Sequence, residues 1–353
     1  MAVGGTRDLE AVRLGLERWF RHERPDFPGA IVSPIERPSA GLSSDTVVFE
    51  VTAAVPGAPG GWQRSWFVAR LPPAGDGLFP HYDLSRQAAL QTALARAGLG
   101  AVEPLAMVDD PSFVGAPFLL MPRVPGRTIA TDRPYLREGW LADAGPQLQA
   151  RLHGAVLDAM AALHRLDVGE LAGLLPVPSG AALEGELLRW GSYLEWAAGG
   201  TVPPALAKGL AWCSRHRPAV EPRPSVLWGD AQLGNAVFAD DGSVVALLDF
   251  ELAGVGPAEL DLGWFTALHE MTVARCGTDL PGFPDRAATI AGYEARLGRG
   301  VDDLRWYEAF AALRSSAVVL RAARLLALQG LDPGWAEDPA TNPALALLDR
   351  LTS

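Results

Sequence analysis

Apolar residues recur along this chain at two periods. Leu9, Val12, Leu16 and Phe20 fall on one side of a helical wheel with charges opposite, which predicts an amphipathic first helix. The period then shortens. Runs at Ile31–Glu36, Thr46–Ala54 and Ser65–Leu71 read as strands separated by turn residues, and the Gly- and Pro-rich connection Pro56–Gly61 makes the last two a hairpin. Leu84–Ala97 returns to helical spacing, and "APFLLMPRVPG" gives a further apolar strand stopped by prolines and glycine.

Beyond Gly126 the pattern is mostly helical. Val156, Met160 and Leu163 line one face of a helix predicted over Leu148–Leu166, and Leu187, Trp190 and Leu194 do the same over Leu183–Ala198. Residues 225–251 are the strand-rich exception, and helices resume from Asp261. A β-rich first third and a helical remainder predict an α+β fold in two lobes. The expected division is 1–121, a hinge at 122–126, and 127–353.

Composition narrows the function. The net charge of −11 and acidic pI of 5.1 exclude the basic footprint of a nucleic-acid binder. Lys208 is the only lysine. Cys213 and Cys276 form neither a metal pattern nor a disulfide framework, and they read as free thiols of a cytoplasmic protein. No signal-peptide pattern opens the chain, and no charge-free apolar run approaches the roughly 18 residues of a membrane span. Oligomeric state is not legible.

The chemistry concentrates in "SVLWGDAQLGNAVFADDGSVVALLDFE". Gly229 and Gly234 bracket a loop carrying Asp230 and Asn235. "ADDGS" makes a hairpin turn centred on Asp241-Gly242, and the returning strand delivers Asp249 beside Asn235. Asp and Asn near glycine often serve only turns, which is the role read for Asp240 and Asp241. Together, however, Asp230, Asn235 and Asp249 are the oxygen donors of a hard cation such as Mg²⁺, with one group to spare for a proton. That is the equipment of phosphoryl transfer, where a protein mainly positions groups and neutralises charge.

These residues carry a resemblance. "WGDAQLGN" followed by a hairpin and "LLDFE" resembles the H-G-D-x-x-x-x-N … D-[FW]-E pattern of the aminoglycoside phosphotransferase family, small-molecule kinases with the protein-kinase-like fold. "AGLSSDTVVFEV", "GAPFLLMPRVPG", "LRWGSYLEWA" and "GPAELDLGWF" extend the likeness over most of the chain. Unassigned actinobacterial members of that family look most similar. The resemblance implies ATP and Mg²⁺ as cofactors and a hydroxyl of a small molecule as acceptor. It makes Asp230 the residue that orients or deprotonates that hydroxyl, and Asn235 and Asp249 the Mg²⁺ ligands. Glu251 sits beside them without a fixed role, and Asp261 is a buried brace for the catalytic loop. Leu187–Ala198 and Trp264–Met271 border the acceptor site by family position.

On the nucleotide side, Gly41, Ser43 and Ser44 resemble the turn that covers the phosphates. By analogy the Pro122 carbonyl and the Val124 N–H would meet the adenine. Arg70 stands where kinases of this fold present a lysine to the phosphates; the alternative is an exposed cation at a strand end. The chain departs from the family at Trp228, which replaces the usual histidine and reads as packing. It departs again at Gln232, where many relatives have histidine, and at Gln87, which replaces the glutamate paired with that lysine. Two readings follow: an active small-molecule kinase, favoured by Asp230, Asn235 and Asp249, and a pseudokinase-like module that binds without turnover, favoured by Arg70 and Gln87. The scattered histidines, His164 among them, call for nothing beyond surface or helix roles.

Overall fold

The computed structural model describes residues 7–38, 43–54, 57–131, 133–171, 173–175, 180–328, 330, 332 and 334–353. The chain divides into two compact units, one of residues 1–96 and 102–124, the other of 97–101 and 125–353.

In the first unit, helix α1 (Leu9–Glu23) is capped by the Asp8 carboxylate, which accepts from the N–H groups of Glu10 and Ala11. Such a cap is worth about 0.5–2 kcal/mol. The helix lies on an antiparallel sheet of order β1-β2-β3-β5-β4. Its strands are β1 (Ile31–Val32), β2 (Asp45–Ala54), β3 (Trp62–Leu71), β4 (Ala106–Val108) and β5 (Phe118–Pro122), with helix α2 (Leu84–Arg96) between β3 and β4. Leu16, Trp19 and Phe20 bury against Val47, Phe49, Phe67 and Phe118. Gly15 makes the close approach possible, because a Cβ there would sit 2.0 Å from the Phe113 carbonyl oxygen.

The expected strand Ile31–Glu36 is mostly lost. The strand ends at Val32, although the Ser33 N–H still donates to the Glu50 carbonyl at 2.9 Å; Pro34 has no N–H to continue the ladder, which resumes only as a single bridge between Glu36 and Val48. The β2–β3 hairpin is longer than expected and pairs Thr46 with Arg70. Of its Gly- and Pro-rich connection, Pro56 lies outside the described residues.

The second unit holds α3 (Pro146–Arg165), α4 (Ala182–Ala198), α5 (Pro204–Arg215), α6 (Glu259–Cys276), α7 (Arg286–Leu297), α8 (Leu304–Ala327) and α9 (Pro343–Thr352). Helix α8 packs against α4, α5, α6 and α9. Two small antiparallel ladders sit among them: β6 (Pro224–Leu227) with β9 (Gly254–Pro257), and the hairpin of β7 (Ala236–Phe238) with β8 (Val244–Leu247). Neighbouring segments hold this hairpin on both sides. Arg127 bridges Phe238, and Ala101 bridges Leu247, whose N–H donates to the Gly100 carbonyl at 2.7 Å. Cys213 and Cys276 are free and buried. Among the described residues no helix is long and apolar enough to cross a membrane.

Candidate active site

Strand β6 ends at Leu227, paired with Gly254 of β9, so the loop that follows starts against the backbone preceding β9. Trp228 and Gly229 open it. Gly229 has φ +88°, and a Cβ there would lie 2.1 Å from the Leu252 carbonyl oxygen, so only glycine lets the two loops touch. Asp261, fully buried in the first turn of α6, fastens the same point. Its Oδ2 accepts from the Trp228 N–H at 2.7 Å and its Oδ1 from the Gly229 N–H at 2.9 Å. These contacts match the brace implied for Asp261.

A third donor reaches Asp261 from α3. His164 Nε2 lies 2.9 Å from Oδ2, and its Nδ1 lies 2.5 Å from the Tyr293 hydroxyl. Asp261 accepts two backbone N–H bonds, so the consistent assignment has Nε2–H donating to it and Nδ1 accepting from Tyr293. Burial, then the charge of Asp261, pushes the Tyr293 hydroxyl pKa above its ordinary value, which keeps the proton available. His164 therefore belongs to a buried relay of hydrogen bonds beneath the loop, not to a surface or generic helix role. Its partners lie 97 and 129 residues away along the chain, beyond the reach of local pattern.

Asp230 follows, with each carboxylate oxygen accepting twice. Oδ1 takes Trp264 Nε1–H at 2.7 Å and Gln232 Nε2–H at 2.9 Å. Oδ2 takes Asn235 Nδ2–H at 2.7 Å and Gln232 Nε2–H at 2.8 Å. Burial first and the neighbouring charge of Asp249 second raise its pKa above the ordinary aspartate value, against the lowering effect of these hydrogen bonds. The Asn235 amide also donates to the Asp230 backbone carbonyl at 3.1 Å. With its nitrogen committed to Asp230, Asn235 keeps Oδ1 as an oxygen donor.

The hairpin then returns the chain to the same place. The Leu248 N–H donates to the Asn235 carbonyl at 2.7 Å, and Asp249 is the next residue along the chain from Leu248. Asp249 itself has φ +62°, in the left-handed region that non-glycine residues seldom enter. Among the described residues there is no cluster of three or more His, Cys, Asp and Glu suited to a metal. The donors present are the amide oxygen of Asn235 and the carboxylate of Asp249. Two protein oxygens completed by phosphate oxygens suit Mg²⁺, which seldom has an all-protein cage.

Trp228 does more than its sequence reading gave it. It is fully buried, as packing requires, but its indole N–H also donates to the Leu248 carbonyl at 2.7 Å. Sequence alone missed Arg314 altogether. It is 2% exposed and lies 4.4 Å from the Trp264 ring centroid and 4.7 Å from that of Trp190. One guanidinium nitrogen donates to the Gly229 carbonyl at 3.0 Å. Burial lowers its pKa to about 10, which still leaves it charged at neutral pH.

In the first unit, Arg70 is 8% exposed, not the exposed strand-end cation of the alternative reading. Its Nε and Nη2 both donate to Ser44 Oγ, at 3.2 and 3.1 Å. Ser43 is buried beside it in sequence, and Gly41 lies outside the described residues. Pro122 closes β5, opposite Phe67, and Val124 follows Arg123, whose N–H donates to the Trp66 carbonyl at 2.8 Å. Gln87 is buried on α2.

A family model described as the phosphotransferase enzyme family matches residues 35–310. Among curated proteins, acyl-CoA dehydrogenase family member 11 of Gallus gallus is 28% identical over 260 residues, covering 72% of this chain and 30% of that protein. The Homo sapiens protein of the same name is 26% identical over 205 residues, covering 58% and 25%. The chain thus spans less than a third of the length of these curated relatives. Among solved structures, a protein from Ralstonia eutropha JMP134 named as an aminoglycoside phosphotransferase superposes with a TM-score of 0.68 at 21% identity, covering 98% of each chain. A thermostable mutant of aminoglycoside phosphotransferase APH(4)-Ia, in complex with AMP-PNP and hygromycin B, gives 0.60 at 16% identity, covering 96% of this chain and 98% of that one. The shared fold is the α+β, protein-kinase-like one.

Proposed function

Because the chain belongs to the phosphotransferase enzyme family, we propose that it is a cytoplasmic ATP- and Mg²⁺-dependent kinase that phosphorylates a hydroxyl of a small molecule. The observation that carries this reading is the Asp230 carboxylate. Asn235 and Trp264 orient it, and burial and Asp249 raise its proton affinity. A general base works best when its pKa is moved toward the working pH.

In this mechanism Asn235 Oδ1 and the Asp249 carboxylate would hold Mg²⁺, whose charge would screen that of the phosphate oxygens. Arg70, Ser43 and Ser44 grip the nucleotide phosphates, the role that the family resemblance also gives to Gly41. The Pro122 carbonyl and the Val124 N–H take the adenine. The acceptor hydroxyl displaces Gln232 from Asp230 and donates to the vacated oxygen. As the hydroxyl oxygen bonds to the γ-phosphorus, its proton passes to Asp230. The bond between that phosphorus and the β–γ bridging oxygen breaks, and ADP leaves. Asp261, His164 and Tyr293 hold the loop still beneath these events.

One observation favours the module without turnover: all four hydrogen-bonding positions of Asp230 are filled from within the protein. Two measurements separate the readings. Mg²⁺ with ATP should raise the melting temperature, since a ligand of the folded state stabilises it by mass action. Asp249→Ala should remove the magnesium-dependent part of that rise. Asp230→Asn should keep nucleotide binding and lose about 10²- to 10⁴-fold in transfer rate. No melting shift with any nucleotide would defeat the kinase reading and leave only a module that binds some other ligand. A shift without turnover on a broad panel of alcohols would leave the binding module.

A further inference from the structure

Within the second unit, a cavity of about 230 Å³ opens beside Gln232, the residue that caps Asp230. It is walled by one side of α6, which contributes Phe265, Leu268, Met271 and Arg275, and by Val319 of α8. Part of the expected acceptor border, Trp264–Met271, thus lines it, whereas no residue of Leu187–Ala198 does. Its volume falls below the roughly 300–1,000 Å³ usual for drug-sized ligands. It suits a small acceptor, or the end of a larger one.

The charge of the lining is one-sided. Among the described residues that line it there is no aspartate or glutamate. Arg275 is the one arginine or lysine among them, and His269 is already held by Asp279 at 2.9 Å. An ammonium group entering such a cavity would shed water and find no carboxylate on its walls, Asp279 being already engaged by His269. A carboxylate or phosphate would meet a guanidinium, which binds these anions in a charge-assisted and often two-pronged way. A helix end favours a cation in its last turn, and Arg275 would serve α6 in that way too, but that role does not require it to border a cavity.

Resting on the kinase reading above, we propose that this cavity takes the acceptor, and that the acceptor is a hydroxylated anion with an apolar body, not a polycation. The anionic end lies toward Arg275, the apolar body lies along Phe265, Leu268, Met271 and Val319, and the hydroxyl reaches Asp230 past Gln232.

Three probes of one chain length test it: omega-hydroxyoctanoate, octanediol and aminooctanol. Dissociation constants come from ligand-observed NMR on the whole protein with Mg²⁺ and ADP, and acceptor-dependent ADP formation is followed in parallel with ATP. The hydroxy acid should bind most tightly and the amino alcohol most weakly. Arg275 is exposed, so solvent screens its pairing, and Arg275→Ala should weaken the acid roughly 2- to 5-fold. It should leave the diol and the melting temperature unchanged. Equal or tighter binding of the amino alcohol, no binding of the acid, or an acid-to-diol ratio untouched by Arg275→Ala would each overturn the assignment. The magnesium-nucleotide melting shift, measured on the same samples, separates these failures from a failure of the kinase reading.

Discussion

The indole N–H of Trp228 donates to the backbone carbonyl of Leu248 at 2.7 Å, tying the loop that carries Asp230 to the strand end that presents Asp249. Leu248 is held at both its polar atoms, since its N–H donates to Asn235. Histidine in this position would have a nitrogen donor on a smaller ring. Tryptophan supplies the donor and fills the space as well.

Trp228→Phe keeps most of the packing and deletes the donor. The half-buried Leu248 carbonyl would then lose this partner, at a cost of about 0.5–1.5 kcal/mol. The expected result is a lower denaturation midpoint together with weaker magnesium-dependent nucleotide binding, measured on the same protein. A stability loss with unchanged magnesium dependence would reduce Trp228 to a core residue.

Arg70 should act through its forked shape. Arg70→Ala is expected to weaken ATP binding by about 1.5–3 kcal/mol, as for hydrogen bonds to a charged group. Arg70→Lys should recover only part of this, because an ammonium cannot make the two-pronged contact that its Nε and Nη2 now make to Ser44. Calorimetric titration of ATP into both variants decides it, and equal affinity in wild type and Arg70→Ala removes Arg70 from the nucleotide site.

Arg314 holds the loop that carries Asp230 from behind, through Gly229, and stacks on Trp264, which in turn donates to Asp230. Arg314→Met should leave nucleotide affinity near wild type and lower kcat about 5- to 150-fold, the equivalent of one lost buried hydrogen bond of about 1–3 kcal/mol. A parallel fall in stability and nucleotide affinity, with kcat preserved in the folded fraction, would make the role structural only.

His153 supplies a pH dependence. Packed between Phe265 and Phe283, it is held neutral by burial first and by the charges of His269 and Arg296 next, with a pKa lowered from 6.5 to about 4. The unfolded chain takes up the proton first as pH falls, so its contribution is present above about pH 6.5 and is lost as pH falls toward 4. The difference of about 2.5 units corresponds to about 3 kcal/mol. Urea midpoints at pH 7 and pH 4.5 should therefore diverge less in His153→Leu than in wild type.

How much of this was legible depends on distance along the chain. Asp230, Asn235 and Asp249 could be read together because one hairpin joins them, and the hairpin announces itself through Asp241-Gly242 between apolar runs. Asp261 was reached only through the family resemblance. His164, Trp264 and Arg314 were not read as supports of Asp230, because helices α3, α6 and α8 bring them in from afar and each has an ordinary helical neighbourhood. Strand β9 reads as "GVGP", which has the composition of a turn. It is a strand because β6 pairs with it, a tertiary cause that overrides propensity. Trp228 was legible as buried but not as a donor, since nothing in the sequence says where the Leu248 carbonyl lies.

Residues 97–101 leave the first unit in sequence and belong to the second, where Gly100 and Ala101 hold Leu247. For anyone wishing to dissect the protein, this means that no single cut yields two self-sufficient pieces. A fragment ending at Val124 would carry the Gly100 carbonyl away from its donor, and the remainder would keep strand β8 with one flank bare. Each piece would expose strand-pairing groups that the intact chain satisfies, the condition in which β-edges recruit one another. Work on either unit alone should therefore graft residues 97–101 onto the second, or close the gap between Arg96 and Val102 in the first with a short designed turn.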